Sequence, residues 1–198
     1  PAVVIEKWSQ DLSYKHFSIP KKSGTGWRRI SIPNDNLKLI QYSLATILFD
    51  DISLFPIHSL AVAYRKGVSS PIKNAVSQHT GYPFSVKMDF KNFFPSIKFE
   101  DFYTILKKID LFSSPKNLFL IQQCCFIDGV SLGIGSPSSP IISNIVMYEL
   151  DCILHEYAHS RNACLTRYAD DIVFSSWEKS DCQIFPRDME VILLSRES

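Results

Sequence analysis

Two adjacent aspartates, Asp170 and Asp171, lie between two short segments that have the composition of β-strands. The flanking residues 165–168 and 172–175 are rich in apolar, β-branched and aromatic side chains, and the three residues between them favour a tight turn. Turn formation alone often explains such a pair, because an aspartate side chain can bond the local backbone. Here both flanks are apolar, and neighbouring like charges repel each other unless a proton or a cation neutralises them. The segment therefore predicts a hairpin whose tip requires a neutralising partner.

A third carboxylate, Asp89, ends another predicted strand. Every second residue from Phe84 to Phe90 is apolar, so a strand would direct these side chains inward and Asp89 to the opposite, polar face. If this strand lies beside the hairpin in a sheet, Asp89 converges with Asp170 and Asp171. Such a cluster suits hard cations, and Mg²⁺ is usually held by one or two carboxylates together with substrate phosphates. Two ions about 4 Å apart can activate an attacking oxygen and stabilise a leaving one, so nucleotidyl transfer is the indicated reaction.

The charge of the chain is polarised although its total is close to zero. Residues 1–80 contain 10 basic and 5 acidic side chains, whereas residues 81–198 contain 11 and 15. This distribution suits a protein that holds phosphates with one part and cations with another, although chance clustering on solvated surfaces would produce the same totals. The 45% apolar composition of the 198 residues is sufficient for one domain, or two small subdomains, with a buried core.

The remaining composition argues against several classes of protein. The chain has five cysteines, which are Cys124, Cys125, Cys152, Cys164 and Cys182. They form no Cys-x-x-Cys pair and have no histidines at zinc spacing, so we expect reduced thiols and neither a zinc nor a redox centre. The chain begins without a basic segment followed by an apolar one, and it has no run of about 18 apolar residues. Neither export nor membrane insertion is expected.

The rest of the pattern predicts one continuous α+β unit. Residues 17–33 are predicted to form a basic β-hairpin around a Gly/Ser turn, and residues 37–48 a helix. Two further helices are predicted over residues 99–111 and 115–127. One long amphipathic helix is predicted from Pro140 onward.

Several motifs resemble those of a known family. Tyr168-Ala169-Asp170-Asp171 resembles the Y-x-D-D signature of reverse transcriptases, and residues 87–97, KMDFKNFFPSI, resemble the first catalytic-aspartate motif of the retron and group II intron types. Other segments match that family in order: Ile19-Pro20-Lys21-Lys22-Ser23-Gly24 with Arg28, Ile30 and Pro33; Leu37-Lys38 with Gln41; Asn74-Ala75 with His79; Ser139-Pro140 with Ser143-Asn144. The resemblance covers roughly residues 14–177.

This resemblance implies the fingers and palm of a right-hand polymerase, with an antiparallel palm sheet packed on helices. The fingers would comprise residues 1–84 and 101–134, and the palm residues 85–100 and 135–198. Only 27 residues follow Asp171, and they contain no convincing primer-grip hairpin or helical thumb, although DMEVILLSRES is predicted to begin a further helix. We therefore expect the thumb to be absent and the chain to be a fragment or a truncated product.

The resemblance further implies an RNA-directed DNA polymerase, which transfers nucleotides from dNTPs to a primer 3′-hydroxyl with two Mg²⁺ ions, or with Mn²⁺ in their place. By resemblance, Asp89 and Asp170 would be the principal metal ligands and Asp171 a third carboxylate nearby. The expected partners are an RNA template, a DNA or RNA primer and dNTPs, with a cognate non-coding RNA as a further candidate. The expected location is the bacterial cytoplasm. A fragment without a thumb is expected to polymerise poorly alone.

Four further residues are implied to contact the incoming nucleotide. Lys21 or Lys22 and Arg28 would hold its triphosphate, which suits an ammonium and a guanidinium beside phosphate oxygens. A solvated basic hairpin is the alternative explanation for these three. Phe94 takes the position where an aromatic ring crowds a ribose 2′-hydroxyl and so selects deoxynucleotides. Its alternative explanation is a core aromatic, for which Phe93 is the better candidate.

Three more residues are candidates for contact with nucleic acid. Arg65 and Lys66 would contact template phosphates. The alternative for both is an ordinary pair of surface charges. Tyr168 would pack near the primer end, unless it is only a structural residue of its strand.

The sequence departs from the family pattern in the loop before the long helix. Relatives commonly read L-P-Q-G-x-x-x-S-P there, whereas residues 132–140 read LGIGSPSSP, so Ile134 occupies the position of a glutamine that lies against the incoming nucleotide. The interval from Asn74-Ala75 to His79 is also one residue longer than usual. Two alternatives therefore stay open: a template-independent or protein-primed DNA polymerase of a phage-defence system, and a non-catalytic RNA-binding relative. The intact aspartates argue against the second, and Phe94 argues against an RNA-dependent RNA polymerase.

Overall fold

The computed structural model describes residues 12–21, 24, 26–51, 53–110 and 112–195 of the chain. The helices and strands follow in the order β1 (Tyr14–Pro20), β2 (Trp27–Pro33), α1 (Asp35–Asp50), α2 (Pro71–Gln78), β3 (Phe84–Asp89), α3 (Phe93–Ser96), α4 (Phe99–Leu106), α5 (Pro115–Cys125), α6 (Ser139–Val146), α7 (Tyr148–His159), β4 (Cys164–Tyr168), β5 (Asp171–Ser176) and α8 (Lys179–Leu194). Helices and antiparallel sheets are both present, as the predicted α+β class requires. No helix in the described ranges is long and apolar enough to cross a membrane.

Contacts divide the chain into two compact units. The first unit takes the described residues up to Pro56 together with Asn92–Val146, and the second takes Ile57–Lys91 together with the described residues from Met147 onward. These units are groups of residues in mutual contact, whereas fingers and palm are functional lobes. The predicted lobe ranges therefore remain a prediction.

The first unit combines a β-hairpin with a helical core. β1 and β2 pair antiparallel from Tyr14↔Pro33 to Pro20↔Trp27, which confirms the predicted hairpin. The Asn34 side chain begins α1 by accepting a hydrogen bond from the Leu37 amide at 3.0 Å. The buried apolar side chains of this unit include Leu37, Leu48, Phe55, Phe102, Leu106, Phe112, Ile121, Phe126, Ile141 and Ile142.

The loop before α6 lies against β2 of the hairpin. The Ser31 amide donates to the Ile134 carbonyl at 2.8 Å. The next residue, Gly135, has a φ of +106°, and a Cβ atom there would lie 3.0 Å from the Ser31 carbonyl oxygen. Any other residue would combine a strained backbone with a very tight contact, so glycine favours the close approach. Ile134 thus contributes its backbone carbonyl to the contact.

A buried polar network connects α1 with α5 and β1. The Gln41 side chain is fully buried, and its amide nitrogen donates to Tyr14 OH at 2.6 Å and to the Cys124 carbonyl at 2.7 Å. Tyr14 OH also donates to the Cys124 carbonyl, at 3.1 Å. Burial raises the pKa of Tyr14 to about 12, so this phenol keeps its proton throughout the physiological range. The network fixes the start of the hairpin on the helical core.

The second unit contains an antiparallel sheet in the order β3–β5–β4. Helix α8 packs against β3 and β5, while α2 and α7 pack against β4. The central strand β5 buries Ile172 and Phe174, and the Phe174 ring stacks on Phe185 of α8 at 4.6 Å between centroids. On the edge strand β3, Val86 and Met88 are only half-buried and Phe84 is exposed. The inward apolar face predicted for β3 is thus only partly covered.

Two helices differ from their predictions. The long helix predicted from Pro140 is divided into α6 and α7 at Met147, which is also where the two contact units divide. Met147 keeps helical dihedral angles, with φ −76° and ψ −6°, so the apolar period continues across the break and conceals it. Helix α8 begins at Lys179, well before the predicted start, and continues through Pro186.

Candidate active site

The three aspartates lie at the same end of the sheet in the second unit. Strands β3 and β5 are antiparallel, and Asp89 is the direct partner of Asp171. The Phe90 amide donates to the Asp170 carbonyl at 3.0 Å, which joins the end of β3 to the turn of the hairpin. The two strands are thus neighbours, and the structure brings the three carboxylates together, as predicted.

The turn that carries Asp170 is strained. Strand β4 ends at Tyr168 and β5 begins with its partner Asp171, so Ala169 and Asp170 alone form the connection. Hairpin loops of two residues require a positive φ at the first central residue. Ala169 supplies it with a φ of +57°, a conformation that residues with a Cβ atom rarely adopt. Its side chain is buried, so the surrounding structure must hold this conformation in place.

A buried ion pair contacts this turn. Arg167 Nε and Nη2 donate to the two carboxylate oxygens of Asp151 at 2.8 and 2.6 Å, and both side chains are 0% exposed. Arg167 Nη1 donates to the Ala169 carbonyl at 3.1 Å. Neither residue of this pair was among the predicted site residues. The signal was nevertheless present, because Arg167 alternates with Leu165 on the inward face of an apolar strand, and a charge in that position requires a buried partner.

Negative charge accumulates at the aspartate cluster. Burial, and then the charges of Asp89 and Asp171, raise the pKa of Asp170. Lys87 Nζ lies 2.9 Å from Asp171 Oδ1, and this hydrogen bond raises the pKa of Lys87. The lysine side chain is 62% exposed, so solvent weakens the ion pair. One lysine does not balance three carboxylates, and such an arrangement favours a bound cation.

The chemistry of the cluster fits Mg²⁺. Within the described residues, no group of three or more His, Cys, Asp and Glu side chains is arranged to hold a metal ion. Mg²⁺ does not require such a cage, because one or two carboxylates usually bind it while water and substrate phosphates complete its coordination. Asp89 lies close enough to Asp170 to raise the pKa of Asp170, which provides two adjacent carboxylates. A cation between them would offset the repulsion that, after burial, raises the pKa of Asp170.

Tyr64 also lies close to the cluster. Burial, and then the charge of Asp170, raise the pKa of its phenol. Tyr64 has a φ of +57°, so a second residue beside the aspartates has a rare backbone conformation. No sequence pattern identifies it, because it approaches Asp170 only in the folded chain.

His79 links α2 to the sheet. Its Nδ1 lies 2.8 Å from Ser175 Oγ on β5, and its Nε2 lies 2.8 Å from Thr166 Oγ1 on β4. Burial lowers the pKa of the imidazole, so its neutral form is favoured. The histidine of the Asn-Ala to His motif therefore connects two strands of the sheet that carries the aspartates.

Arg65, Lys66 and Tyr168 belong to the same unit as the aspartates. Arg65 and Lys66 are exposed in the segment before α2, and Arg65 Nη1 lies 3.5 Å from the His58 carbonyl. Tyr168 is half-buried and lines a groove of about 790 Å³ together with residues of α2 and its flanks, which are Ser70, Pro71, Ile72, Lys73, Val76, Ser77 and Thr80. The groove thus reaches the residue that directly precedes the strained turn.

The residues expected to contact the nucleotide belong to the first unit. The Lys21 backbone closes the turn of the β1–β2 hairpin, and Arg28 is exposed on β2. Lys22 lies outside the described residues. Phe93 is buried, as expected for a core aromatic, whereas Phe94 is half-buried, and their rings lie 5.4 Å apart.

Comparison with known proteins identifies sequence relatives over nearly the whole chain. The profile of the family described as reverse transcriptase (RNA-dependent DNA polymerase) matches residues 19–197. The retron Ec73 reverse transcriptase of Escherichia coli is 38% identical over 193 residues, which cover 90% of this chain and 59% of that protein. The retron Ec83 reverse transcriptase of the same species is 34% identical, with 84% and 54% covered. The expected resemblance to bacterial retron reverse transcriptases is confirmed, and the chain spans just over half the length of these two relatives.

A solved structure shares the fold. Apo telomerase from Candida tropicalis, truncated from its C-terminal domain, superposes with a TM-score of 0.53 at 12% identity, covering 96% of this chain and 50% of that one. At this level of identity the comparison supports a common fold only.

Proposed function

Because this chain belongs to the reverse transcriptase (RNA-dependent DNA polymerase) family, we propose that it carries the catalytic aspartates of a retron-type enzyme that copies RNA into DNA. The observation that supports this proposal is the pairing of Asp89 with Asp171 across neighbouring strands, with Asp170 joined to the end of β3. The whole enzyme would add nucleotides from dNTPs to a primer 3′-hydroxyl along an RNA template.

In this proposal the aspartates have separate roles. Asp89 and Asp170 hold the divalent cations, two Mg²⁺ ions or Mn²⁺, while Asp171 adds negative charge and keeps Lys87 close to the cluster. The chemistry that such ions supply is activation of the attacking oxygen and stabilisation of the leaving pyrophosphate. The hairpin keeps the carboxylates adjacent before any cation binds, so little reorganisation is needed when substrate arrives.

The other site residues follow the family resemblance. Lys21, Lys22 and Arg28 would bind the triphosphate, because ammonium and guanidinium groups complement phosphate oxygens. Phe94 would exclude a 2′-hydroxyl, and its half-buried ring is compatible with contact to a ligand. The fingers would comprise residues 1–84 and 101–134, and the palm residues 85–100 and 135–198.

Nucleic acid would approach the second unit near the strained turn. Arg65 and Lys66 are exposed and would contact template phosphates, and Tyr168 would pack near the primer end. The partners of the whole protein would be an RNA template, a DNA or RNA primer and a cognate non-coding RNA, in the bacterial cytoplasm.

The test is primer extension by the full-length protein on an RNA template with dNTPs and Mg²⁺. We expect Asp89→Asn and Asp170→Asn each to lower the extension rate by more than about a hundredfold, since even outer partners of metal ligands are worth about 10–100-fold. Asp188→Asn is the matched control, because it removes a carboxylate of the same unit that pairs with Arg161. Template-dependent product that disappears in both aspartate variants supports the proposal. If the same amount of product forms without the RNA template, the protein is an untemplated polymerase. If no product forms under either condition, a binding role is favoured.

A further inference from the structure

The buried Arg167 side chain divides its hydrogen bonds between a helix and the strained turn. Two of its nitrogens bind Asp151 of α7, and the third donates to the Ala169 carbonyl. The Arg167 backbone is fixed as well, because its amide donates to the Leu60 carbonyl at 2.8 Å and its carbonyl accepts from the Val62 amide at 2.9 Å. The guanidinium therefore has little freedom to move.

The third of these bonds acts on the peptide that precedes Asp170. The Ala169 carbonyl belongs to the peptide group between Ala169 and Asp170, so fixing this oxygen fixes the orientation of that peptide plane. Asp170 is the next residue, and its own carbonyl is held by the Phe90 amide at 3.0 Å. The backbone of Asp170 is thus restrained on both sides, by Arg167 before it and by Phe90 after it.

Stability alone does not explain why this pair is ionic. Removal of one partner from a buried ion pair is strongly destabilising, but replacement of both by apolar residues of similar volume is often neutral or stabilising. The guanidinium offers something that an apolar side chain lacks, namely a planar set of donors that binds a carboxylate with two bonds and a carbonyl with a third. Ala169 requires such support because its positive φ persists only where the surroundings enforce it.

We propose that Arg167 and Asp151 are positioning residues, which hold the Ala169 carbonyl and thereby set the direction in which Asp170 presents its carboxylate to Asp89 and to a divalent cation. This inference rests on the proposed function, since it assigns the cation to that cluster. Neither residue touches the cation itself. Their effect reaches the cluster through the turn.

The first test variant is the double replacement Arg167→Met/Asp151→Leu, which removes both charges and approximately conserves their volume. The matched control is Arg161→Met/Asp188→Leu, which removes the other Arg–Asp pair of this unit, where Arg161 Nη2 lies 3.4 Å from Asp188 Oδ2. Two properties of the full-length protein are measured: Mn²⁺ affinity by electron paramagnetic resonance, and hydrogen exchange of the Phe90 amide. A purely structural role would leave both properties unchanged in a variant that folds.

We expect the Arg167/Asp151 variant to fold, to bind Mn²⁺ at least about tenfold more weakly, and to exchange the Phe90 amide faster. The control variant is expected to keep wild-type values for both. Wild-type affinity and exchange in the folded Arg167/Asp151 variant would overturn the proposal. Arg167→Lys, which keeps the charge but not the planar donors, replaces the double variant if that variant does not fold. Failure of both to fold would show that the pair serves folding, and the proposal would be wrong.

The design separates this inference from the function on which it rests. The proposed metal site is wrong if the wild-type protein does not bind Mn²⁺, or if Asp170→Asn binds Mn²⁺ as the wild type does. The Phe90 exchange rate would still decide whether Arg167 holds the turn.

Discussion

Asp89 and Asp171 are direct partners across the antiparallel pair β3–β5. Side chains in this relationship have Cβ atoms about 4.5–5.5 Å apart, and like charges placed there are destabilising. The sheet retains this repulsion at the end where Asp170 is also joined to β3, and the exposed Lys87 pairs with Asp171 of the cluster. Such a local cost to stability is typical of functional sites, and it leads to measurable consequences.

The first prediction concerns the charge of Asp170. Its pKa is raised in the folded protein, so the folded state binds its proton more tightly than the unfolded chain does. This contribution to stability is fully present below the unfolded pKa of 3.8 and is lost as pH rises through the folded pKa. Asp170→Asn should therefore raise the melting temperature at pH 7 in EDTA by about 1–3 °C, with a smaller difference near pH 4. Asp110→Asn, in the first unit, is the control, and a lower melting temperature for Asp170→Asn at pH 7 would contradict the expectation.

The second prediction concerns Lys87. Its ammonium pairs with Asp171 and opposes any cation at the cluster, so Lys87→Gln should increase Mn²⁺ affinity by a few-fold, within the range of about 0–1 kcal/mol for exposed pairs. The gain should shrink in 0.5 M KCl because salt screens exposed charges. Calorimetric titration of the full-length protein with Mn²⁺, without and with 0.5 M KCl, measures the gain in affinity and its dependence on salt. Lys179→Gln removes one exposed positive charge elsewhere in the unit and should have a smaller effect. Equal effects of the two replacements would exclude a specific role for Lys87.

The third prediction concerns His79. Replacement by phenylalanine leaves the buried hydroxyls of Ser175 and Thr166 without their imidazole partner, which should lower the free energy of unfolding by about 1–3 kcal/mol. The folded pKa of His79 lies below 6.5, so its contribution to stability is present above 6.5 and is lost as pH falls through the folded value. The stability difference between wild type and His79→Phe should therefore narrow from pH 7 to pH 5. Urea unfolding at several pH values measures this stability difference, and His159→Phe is the control because His159 is exposed. A difference that does not depend on pH would show that His79 titrates normally.

The fourth prediction concerns the glycine beside the hairpin of the first unit. Gly135→Ala combines a positive φ with a Cβ atom 3.0 Å from the Ser31 carbonyl, whereas Gly67 also has a positive φ but has no atom within 4 Å of the position of a Cβ. Gly67→Ala should therefore cost about 1–2 kcal/mol, the price of the backbone conformation alone. Gly135→Ala should cost more. Chemical unfolding of both variants gives the comparison, and equal costs would mean that the contact relaxes without strain.

Features that depend on neighbouring residues were predictable from the sequence. Alternation and turn composition identified both hairpins, and the predicted start of α5 at residue 115 was correct, because these signals act over a few residues. The convergence of Asp89 with the Asp170-Asp171 turn required one assumption, that their strands are neighbours, and the structure confirms it.

Features that depend on distant packing were not predictable. Helix α8 runs through Pro186, although proline disfavours a helix interior, because Phe185 and Met189 are buried in the second unit and their packing outweighs the local cost. The end of α4 at Leu106 precedes the predicted end, since helix boundaries depend on which residues find a core. The Arg167–Asp151 pair joins a strand to a helix that precedes it in the chain, and neither residue alone indicates the other.

The short connection between β4 and β5 has a consequence for the order of folding. A hairpin closed by two residues forms within microseconds. Strand β3 can pair with β5 only after the long segment between Asp89 and Asp171 has closed into a loop, which is slower. We expect the strained turn with Asp170 and Asp171 to form early, and Asp89 to join these two aspartates late. Refolding chains would then meet the repulsion between Asp89 and the turn aspartates only when β3 pairs with β5, so divalent cations should accelerate that step more than the formation of the hairpin.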